Sequence, residues 1–255
     1  MMADRFGYEW EKYSDIKPQY YASYQRQFLN WVYPLQPDYF IGKKILDAGC
    51  GMGRNSYWAL QWGALEVYAF DHDERSVAAA KNTLKDFANA HVSIHDLEQV
   101  PWVDEFDFIF SIGVIHHTKN PHLVMSQLHK ALKPGGEMLL WVYSREGFEW
   151  ILKILNPLRE NITSRMSPRL LHLLTYIVSV PFYFYLKLFN PQRAYFQQLR
   201  SFSFTHVQSI LFDQLLPDIA RYYSKEEAQE LLQGFRHVEV YAPPNRTGWI
   251  VRGWK

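Results

Sequence analysis

The stretch Lys44–Ser56 constrains the fold more than any other part of the chain. It begins with a short apolar run that ends in Asp47, continues through Gly49, Gly51 and Gly53, and then becomes compatible with a helix. A buried strand that runs through glycines into a helix is the layout of a nucleotide-type site in doubly wound α/β proteins. Glycine lets a ligand approach the backbone closely, and the first N–H groups of the helix point at that ligand. The stretch therefore predicts an α/β fold with a ligand above this loop.

The glycine spacing separates two classes of such proteins. A dinucleotide fingerprint, G-x-G-x-x-G, requires glycine at position 54, where this chain has Arg54. The stretch Leu46–Gly53, LDAGCGMG, instead resembles motif I of the class I S-adenosylmethionine (SAM)-dependent methyltransferases. The resemblance implies that SAM is the cofactor and that Asp47 handles its polar end. It also implies that the loop formed by Gly49, Cys50, Gly51 and Gly53 passes beneath the methionine part of SAM. The small side chain of Cys50 suits the limited space in this loop.

A second acid ends the next predicted strand, Leu65–Phe70. Asp71 lies 22 positions after Gly49, and in doubly wound folds an acid at this place accepts hydrogen bonds from ribose hydroxyls. A carboxylate suits this role because it only accepts hydrogen bonds and can take two donors at once. We therefore expect Asp71 to bind the ribose of the cofactor, with His72 beginning the turn beside it.

The third and fourth predicted strands extend the resemblance. The third strand ends at Asp96 and Leu97, where methyltransferases place an acid on the adenine amine and an apolar neighbour on the ring. The alternative for Asp96 is a turn cap. The stretch Phe106–Thr118, FDFIFSIGVIHHT, resembles the fourth-strand region of small-molecule methyltransferases. The resemblance implies that Ser111 and Gly113 line the cleft near the transferable methyl group.

His116 and His117 follow directly after this fourth strand. The methyl group of SAM is already electrophilic, so the protein has to hold an acceptor in line with it. A hydroxyl acceptor gains from a general base, and histidine titrates near neutral pH. We expect one of the two histidines to be that base, which favours O-methylation over N- or C-methylation. The alternative is that one caps the following turn while the other packs in the core.

The rest of the chain completes the predicted fold. Residues 224–234 form a capped helix, and residues 235–243 and 248–255 form a strand pair. We predict a Rossmann-like, doubly wound, mostly parallel seven-stranded α/β sheet with a C-terminal antiparallel strand pair and a helical cap inserted after strand 5. We predict three units. An N-terminal aromatic segment (residues 1–42) lies over the cofactor cleft, a SAM-binding core comprises residues 43–144 and 224–255, and a substrate insertion comprises residues 145–223.

The insertion contains Leu170–Leu186, 17 residues without Asp, Glu, Lys or Arg. Three interpretations compete: two cap helices broken near Pro181 over an apolar pocket, an element that docks on a membrane, or a membrane span. Seven Lys or Arg against one acid in residues 150–200 favour an anionic membrane surface. The length and the polar residues of the apolar run weaken a span. Asp213 is the one acid of a later apolar run, and it either lines the substrate pocket or is a solvated or capping acid.

Composition sets the remaining expectations. The net charge of +1 and the absence of a base-methylation signature at residues 111–114 make nucleic acid an unexpected partner. A high aromatic content indicates a small-molecule or lipid-like substrate, and the residue spacing suggests no metal site. The single cysteine excludes an internal disulfide. The N-terminus lacks a signal-peptide core, so we expect a cytoplasmic protein. Peripheral contact with the inner membrane surface is the alternative location. A NAD(P)-dependent oxidoreductase and a non-catalytic SAM-fold interaction protein are the alternative functions.

Overall fold

The computed structural model describes residues 6–9, 18–146, 149–243 and 246–255. Its centre is a seven-stranded sheet in the order β3-β2-β1-β4-β5-β7-β6. The strands are β1 (Lys44–Ala48), β2 (Glu66–Asp71), β3 (Ala90–Ile94), β4 (Phe106–Ile112), β5 (Leu132–Tyr143), β6 (Arg236–Tyr241) and β7 (Gly248–Trp254). Strands β1 to β5 pair in parallel, whereas β7 pairs antiparallel with both β5 and β6. The predicted Rossmann-like fold class, with its closing antiparallel strand pair, is confirmed.

Helices connect the parallel strands and cover the sheet. They are α1 (Tyr21–Trp31), α2 (Arg54–Gln61), α3 (Glu74–Thr83), α4 (Pro121–Ala131), α5 (Glu149–Asn161), α6 (Pro168–Phe189), α7 (Ala194–Arg200), α8 (Phe204–Leu215) and α9 (Lys225–Glu230). Short 3-10 turns occur at Pro18–Tyr20, Pro37–Phe40, Ile115–His117 and Thr163–Arg165.

Strand composition explains the sheet. The inner strands are apolar on both faces, as expected when helices cover each side of a parallel sheet: Ile45, Leu46, Phe108 and Ile109 are all fully buried. The order of the strands reverses between β1 and β4, because the connection after β1 leads to β2 on one side and β4 lies on the other. In open α/β sheets ligands bind at such a switch point, beyond the carboxyl ends of the strands.

Two local predictions differ from the structure. Helix α6 continues through Pro181 for 22 residues, so the predicted break there is wrong. Residues on both sides of the proline, Thr175 and Leu186 among them, are buried on the same side of the helix, and this shared packing holds the helix together across the missing N–H. The sequence LKPGG at residues 132–136 predicts a turn between a helix and a strand. In the structure this segment is instead the start of β5, since Leu132 already pairs with Phe106.

The N-terminal segment is only partly described. Its residues 1–5 and 10–17 lie outside the described residues. Near the other end of the chain, so does part of the segment 244–247 between the two predicted closing strands. Residues 6–9 are helical, and α1 follows the 3-10 turn at Pro18–Tyr20. The division into an N-terminal cover, a core and a substrate insertion stays a prediction, as does a cytoplasmic location. Among the described helices, α6 is long and apolar enough to cross a membrane by length and composition.

Candidate SAM and acceptor site

The glycine loop after β1 is held against β2 by backbone hydrogen bonds. The N–H groups of Gly49 and Cys50 both donate to the carbonyl of Phe70, at 3.0 and 2.9 Å. Gly49 has a φ of +82°, and a Cβ at this position would lie 2.6 Å from the Val114 side chain. The loop therefore needs glycine at position 49, both for its backbone conformation and for its close contact with the segment after β4.

Asp71 binds the same loop from the end of β2. Its Oδ2 accepts a hydrogen bond of 2.9 Å from the Gly51 N–H, and its Oδ1 accepts one of 3.1 Å from the Asp73 N–H. Burial raises the pKa of this half-buried carboxyl, while the two N–H donors lower it. A carboxylate has about four acceptor positions. Asp71 therefore keeps capacity for ribose hydroxyls while it orders the loop.

Asp47 and Ser111 lie behind the loop. Asp47 is 1% exposed, its Oδ2 accepts a 2.7 Å hydrogen bond from the Ser56 hydroxyl, and burial raises its pKa to about 7. The Ser111 hydroxyl donates to the Ala48 carbonyl at 2.8 Å. Gly53 precedes α2 with a φ of +79° and packs against Ala80. The structure thus places these three predicted cofactor residues around the support of the loop, and their contact with a cofactor stays a prediction.

The other predicted cofactor residues line one large cavity of about 1070 Å³ at the switch point of the sheet. His72 and Asp96 are exposed at its edge, with 3.7 Å between the His72 Nδ1 and the Asp96 Oδ2. Asp96 also accepts a 2.8 Å hydrogen bond from the Glu98 N–H, which is the turn-capping arrangement considered as its alternative. The predicted residues that line the cavity are Gly49, Cys50, Gly51, Asp71, His72, Asp96, Leu97 and Gly113.

The two histidines occupy different positions. His117 lines the cavity, and its Nδ1 lies 2.6 Å from the carbonyl of Ile219. Because a carbonyl only accepts, Nδ1 carries the proton, and the Nε2 of a neutral ring is then an acceptor. Burial lowers the pKa of His117 to about 4. His116 is fully buried against Tyr143, with ring centroids 3.9 Å apart, and burial lowers its pKa well below the usual value.

A polar cluster at the cavity wall contains Asp213, for which lining the substrate pocket was one of the two predicted alternatives, together with residues that were not predicted. The Tyr143 hydroxyl donates to the Asp213 Oδ2 at 2.9 Å, and the Gln214 Nε2 donates to the Tyr143 oxygen at 2.9 Å. Tyr222 stacks on Tyr143, and the Arg159 guanidinium lies 5.7 Å from the Tyr222 ring centroid. Burial raises the pKa of Asp213 to about 6. We call Tyr143, Asp213, Gln214 and Tyr222 the tyrosine–aspartate cluster.

Other cavity residues come from segments that the sequence leaves ambiguous. Arg54, which the sequence marks only as a missing glycine, lines the cavity with its guanidinium 5.4 Å from the Tyr24 ring centroid. Glu9 is 2% exposed, lines the cavity, and has a pKa raised well above its usual range, first by burial and then by Asp213. The apolar part of the wall is made by helices α6, α7 and α8, through Phe182, Phe196, Leu199 and Ile210, and by Phe202 between α7 and α8.

The sequence does not predict that the tyrosine–aspartate cluster, Arg54 and Glu9 line the same cavity, because packing between distant segments brings them together. Among the described residues, no group of three or more His, Cys, Asp or Glu side chains is arranged to hold a metal ion. The site therefore contains a glycine loop, an acid placed to bind a ribose, a chamber lined by aromatic side chains, and a carboxylate that is hydrogen bonded to a tyrosine.

The geometry fits SAM. Gly49, Cys50 and Gly51 line the cavity, and Asp71 orders their loop while it retains acceptor capacity. A family model described as "Methyltransferase domain" matches residues 45–136, which contain the glycine loop, Asp71, Asp96 and the histidine pair. These residues form a methyltransferase domain, and the match counts against the oxidoreductase alternative.

Curated relatives match less than half of the chain. A tRNA U34 carboxymethyltransferase of Vibrio cholerae is 34% identical over 108 residues, which cover 41% of this chain and 33% of that protein. A protein of the same name from Idiomarina loihiensis is 31% identical over 118 residues, 44% of this chain and 36% of that protein. The chain thus matches about a third of the length of these relatives.

Solved structures show the same fold over the whole chain. A magnesium protoporphyrin IX methyltransferase from Synechocystis PCC 6803 with bound SAH has a TM-score of 0.57 at 15% identity, and the match covers 99% of this chain and 93% of that one. A SAM-dependent methyltransferase from Thermotoga maritima has a TM-score of 0.55 at 15% identity, over 97% of this chain and 99% of that one.

The relatives correct one expectation. Nucleic acid was excluded as a partner on net charge and on the lack of a base-methylation signature. Proteins named as tRNA U34 carboxymethyltransferases match 41–44% of this chain, so the exclusion is wrong. A balanced charge over the whole chain does not determine the local surface around a cleft, and a signature for one kind of base methylation does not cover every reaction on tRNA.

Proposed function

Because residues 45–136 are a class I SAM-dependent methyltransferase domain, we propose that the protein transfers a methyl group from SAM to an acceptor held in the same cavity. One observation carries the proposal: eight of the predicted SAM residues and an aromatic chamber line a single space of about 1070 Å³. Ordinary small-molecule sites measure roughly 300–1,000 Å³, so this space has room for a cofactor and a second molecule.

In this proposal the glycine loop and the carboxyl ends of β2 and β3 bind the cofactor. The backbone of Gly49, Cys50 and Gly51 would lie beneath the methionine part of SAM, and Asp71 would accept hydrogen bonds from the ribose. Asp96 and Leu97 would contact the adenine. SAM supplies an electrophilic methyl group on a sulfonium, so the work left to the protein is to position the acceptor and remove its proton.

The walls of the chamber favour a lipophilic acceptor. Phe182, Phe196, Leu199 and Phe202 present apolar surface from the insertion, beside polar lining residues. The proposal that residues 145–223 act as a substrate cap is supported by this lining. Pockets of this kind bind apolar molecules and orient them through a small number of polar groups.

The tyrosine–aspartate cluster is the best-placed group of that kind. Among the residues that the structure describes, both hydrogen bonds to the Asp213 carboxylate end on Oδ2, which leaves Oδ1 for an acceptor hydroxyl. A general base is most effective when its pKa lies near the working pH. The pKa of Asp213, about 6, is closer to neutral than that of His117, about 4. We therefore assign the base to Asp213 and keep His117 as the alternative that the sequence predicts.

A second candidate acceptor is a tRNA nucleoside. The names of the curated relatives favour it, because these proteins are 31–34% identical to this chain over 108–118 residues. The match covers about a third of their length, which makes tRNA the second candidate rather than the first. An extruded base entering the cavity would need the same positioning of its acceptor atom beside the methyl group.

Methyl-labelled SAM separates the candidates. The purified chain is incubated with labelled SAM and either a bacterial lipid extract or bulk tRNA, and label is counted in the organic-solvent and nucleic-acid fractions. We expect label in the lipid fraction, and less of it with Asp213→Asn. Label in tRNA alone would establish the second candidate instead. A folded chain that binds the demethylated product SAH and labels neither fraction would favour a non-catalytic SAM-fold protein.

A further inference from the structure

Helix α6 exposes an unusually large apolar face. Along one side of the helix, Leu173 is 65% exposed, Ile177 71%, Phe184 59% and Leu188 74%. Only 28% of its most apolar 18-residue window is buried. Soluble proteins seldom leave a continuous apolar surface of this kind in water, and when they do it commonly marks an interaction site. We call Leu170, Leu173, Ile177, Val180, Phe184 and Leu188 the α6 face.

The opposite side of the helix is firmly packed. Leu171, Thr175 and Ser179 are buried, and the Gln208 side chain donates a 2.6 Å hydrogen bond to the Thr175 hydroxyl. Gln208 belongs to α8, so this bond fixes α6 on the helix beneath it. The α6 face is therefore the outer surface of a helix that is already docked, and a transmembrane position would require that packing to be lost.

Apolar side chains of α5 and α6 are also exposed at the rim of the cavity. Three side chains line the cavity and are also exposed at the surface: Ile154 at 67%, Leu158 at 37% and Val178 at 57%. Ile154 and Leu158 belong to α5, and Val178 belongs to α6. Apolar side chains of α5 and α6 therefore reach from the cavity to the outer surface.

The charges around this surface are mostly basic. Lys153, Arg165, Arg169 and Arg193 are exposed near the ends of α5 and α6, and Glu160 is the single acid in residues 150–200. Arg159, by contrast, is buried in the cluster at the cavity wall. An apolar helix face with basic residues at its ends is the arrangement that binds the interface of an anionic membrane.

We propose that the α6 face, with the exposed end of α5, lies on an anionic phospholipid surface, and that the acceptor enters the cavity directly from that surface. Docking follows from exposure and charge alone. The entry route rests on the proposed function, because it assumes that the chamber receives a lipophilic acceptor. The occupant is the membrane interface, with α6 parallel to it and the basic residues at the level of the phosphate groups.

Vesicle co-sedimentation of the full chain tests the docking. We expect the protein to sediment with vesicles of phosphatidylcholine and phosphatidylglycerol, more weakly with phosphatidylcholine alone. The double variant Ile177→Glu, Leu188→Glu should reduce the partition coefficient at least about tenfold, because two apolar side chains leave the interface. Arg165→Gln with Arg169→Gln should weaken binding to the anionic vesicles and leave the neutral ones unchanged.

Two exposed apolar residues away from α6 provide a matched control. Ile41 and Leu65 are 63% and 60% exposed, so Ile41→Glu with Leu65→Glu makes the same chemical change away from the α6 face and should not alter the partition. Circular dichroism and SAH titration of each variant confirm folding and the cofactor site. Failure of wild type to bind anionic vesicles, or an equal loss in the control, would overturn the proposal. So would a dimer that Ile177→Glu dissociates, since a second copy would then cover the face. Each of these outcomes is independent of whether methyl transfer occurs.

Discussion

Asp213 is the residue on which the proposed chemistry depends most. Its carboxyl lies in the cavity wall, hydrogen bonded to Tyr143, and burial raises its pKa to about 6. A base must be deprotonated to accept the acceptor's proton. We therefore expect kcat to rise as the pH increases through about 6 and to level off above it.

Asp213→Asn should lower kcat by roughly 10²-fold or more and remove that rise, because an amide cannot accept the proton at any of these pH values. SAH affinity should stay within about twofold of wild type, since Asp213 lies outside the predicted cofactor residues. The pH profile of kcat with a saturating acceptor is the measurement. An active Asp213→Asn enzyme with its profile intact, together with an inactive His117→Gln variant, would transfer the role to the histidine.

Asp47 gives a prediction for stability. Its folded pKa, about 7, is raised by burial above the ordinary value of 3.8. Between these two values the unfolded chain releases the proton while the folded chain retains it, so this group makes folding less favourable as the pH rises from about 4 to 7. Asp47→Asn removes the titration and should keep a bond to Ser56.

The variant should therefore gain stability relative to wild type as the pH increases from 5 to 8, by on the order of 1 kcal/mol or more at the upper end. Urea unfolding of both proteins at pH 5 and pH 8 measures this difference. A difference in unfolding free energy that does not change between the two pH values would show that Asp47 is charged in the folded protein throughout.

At the scale of single elements, the glycine loop has the strictest geometry. Gly49 and Gly42 both have positive φ, but a Cβ would lie 2.6 Å from Val114 at position 49 and would contact nothing within 4 Å at position 42. Gly49→Ala should therefore displace the loop from the segment after β4 and weaken SAH binding at least about tenfold, whereas Gly42→Ala should carry only the backbone cost of roughly 1 kcal/mol. SAH calorimetry and thermal unfolding of the pair provide the comparison. Equal losses of SAH affinity would mean that close packing at Gly49 does not matter.

The elements themselves were largely predictable because their signals are local. The apolar run before Asp47, the glycines after it, and Ser224 with Glu227 in a capping box all act within a few residues, and the structure has each of them. The break at Pro181 was predicted wrongly for the same reason: a local rule for proline was applied to a helix that tertiary packing holds together.

At the scale of the whole molecule, the cofactor half of the site could be predicted and the acceptor half could not. Parallel strands bring their carboxyl ends to one edge, so Asp71 and Asp96 could be assigned to one cleft from their order alone. Tyr143, Asp213 and Glu9 meet only because β5, α8 and the N-terminal segment pack together, and no spacing in the sequence encodes that meeting. Arg54 was overlooked because its position was judged only by the glycine it replaces.

Binding of SAH to the purified chain tests the central claim most directly. Titration calorimetry should show one site per chain, and Asp71→Asn should weaken it at least about tenfold, or ~1.4 kcal/mol, because the amide offers a donor where the loop and the ribose both need an acceptor. Asp86→Asn, an exposed acid away from the cavity, should bind SAH like wild type. Folded wild-type protein that binds no SAH, or Asp71→Asn protein that binds it with wild-type affinity, would contradict the account.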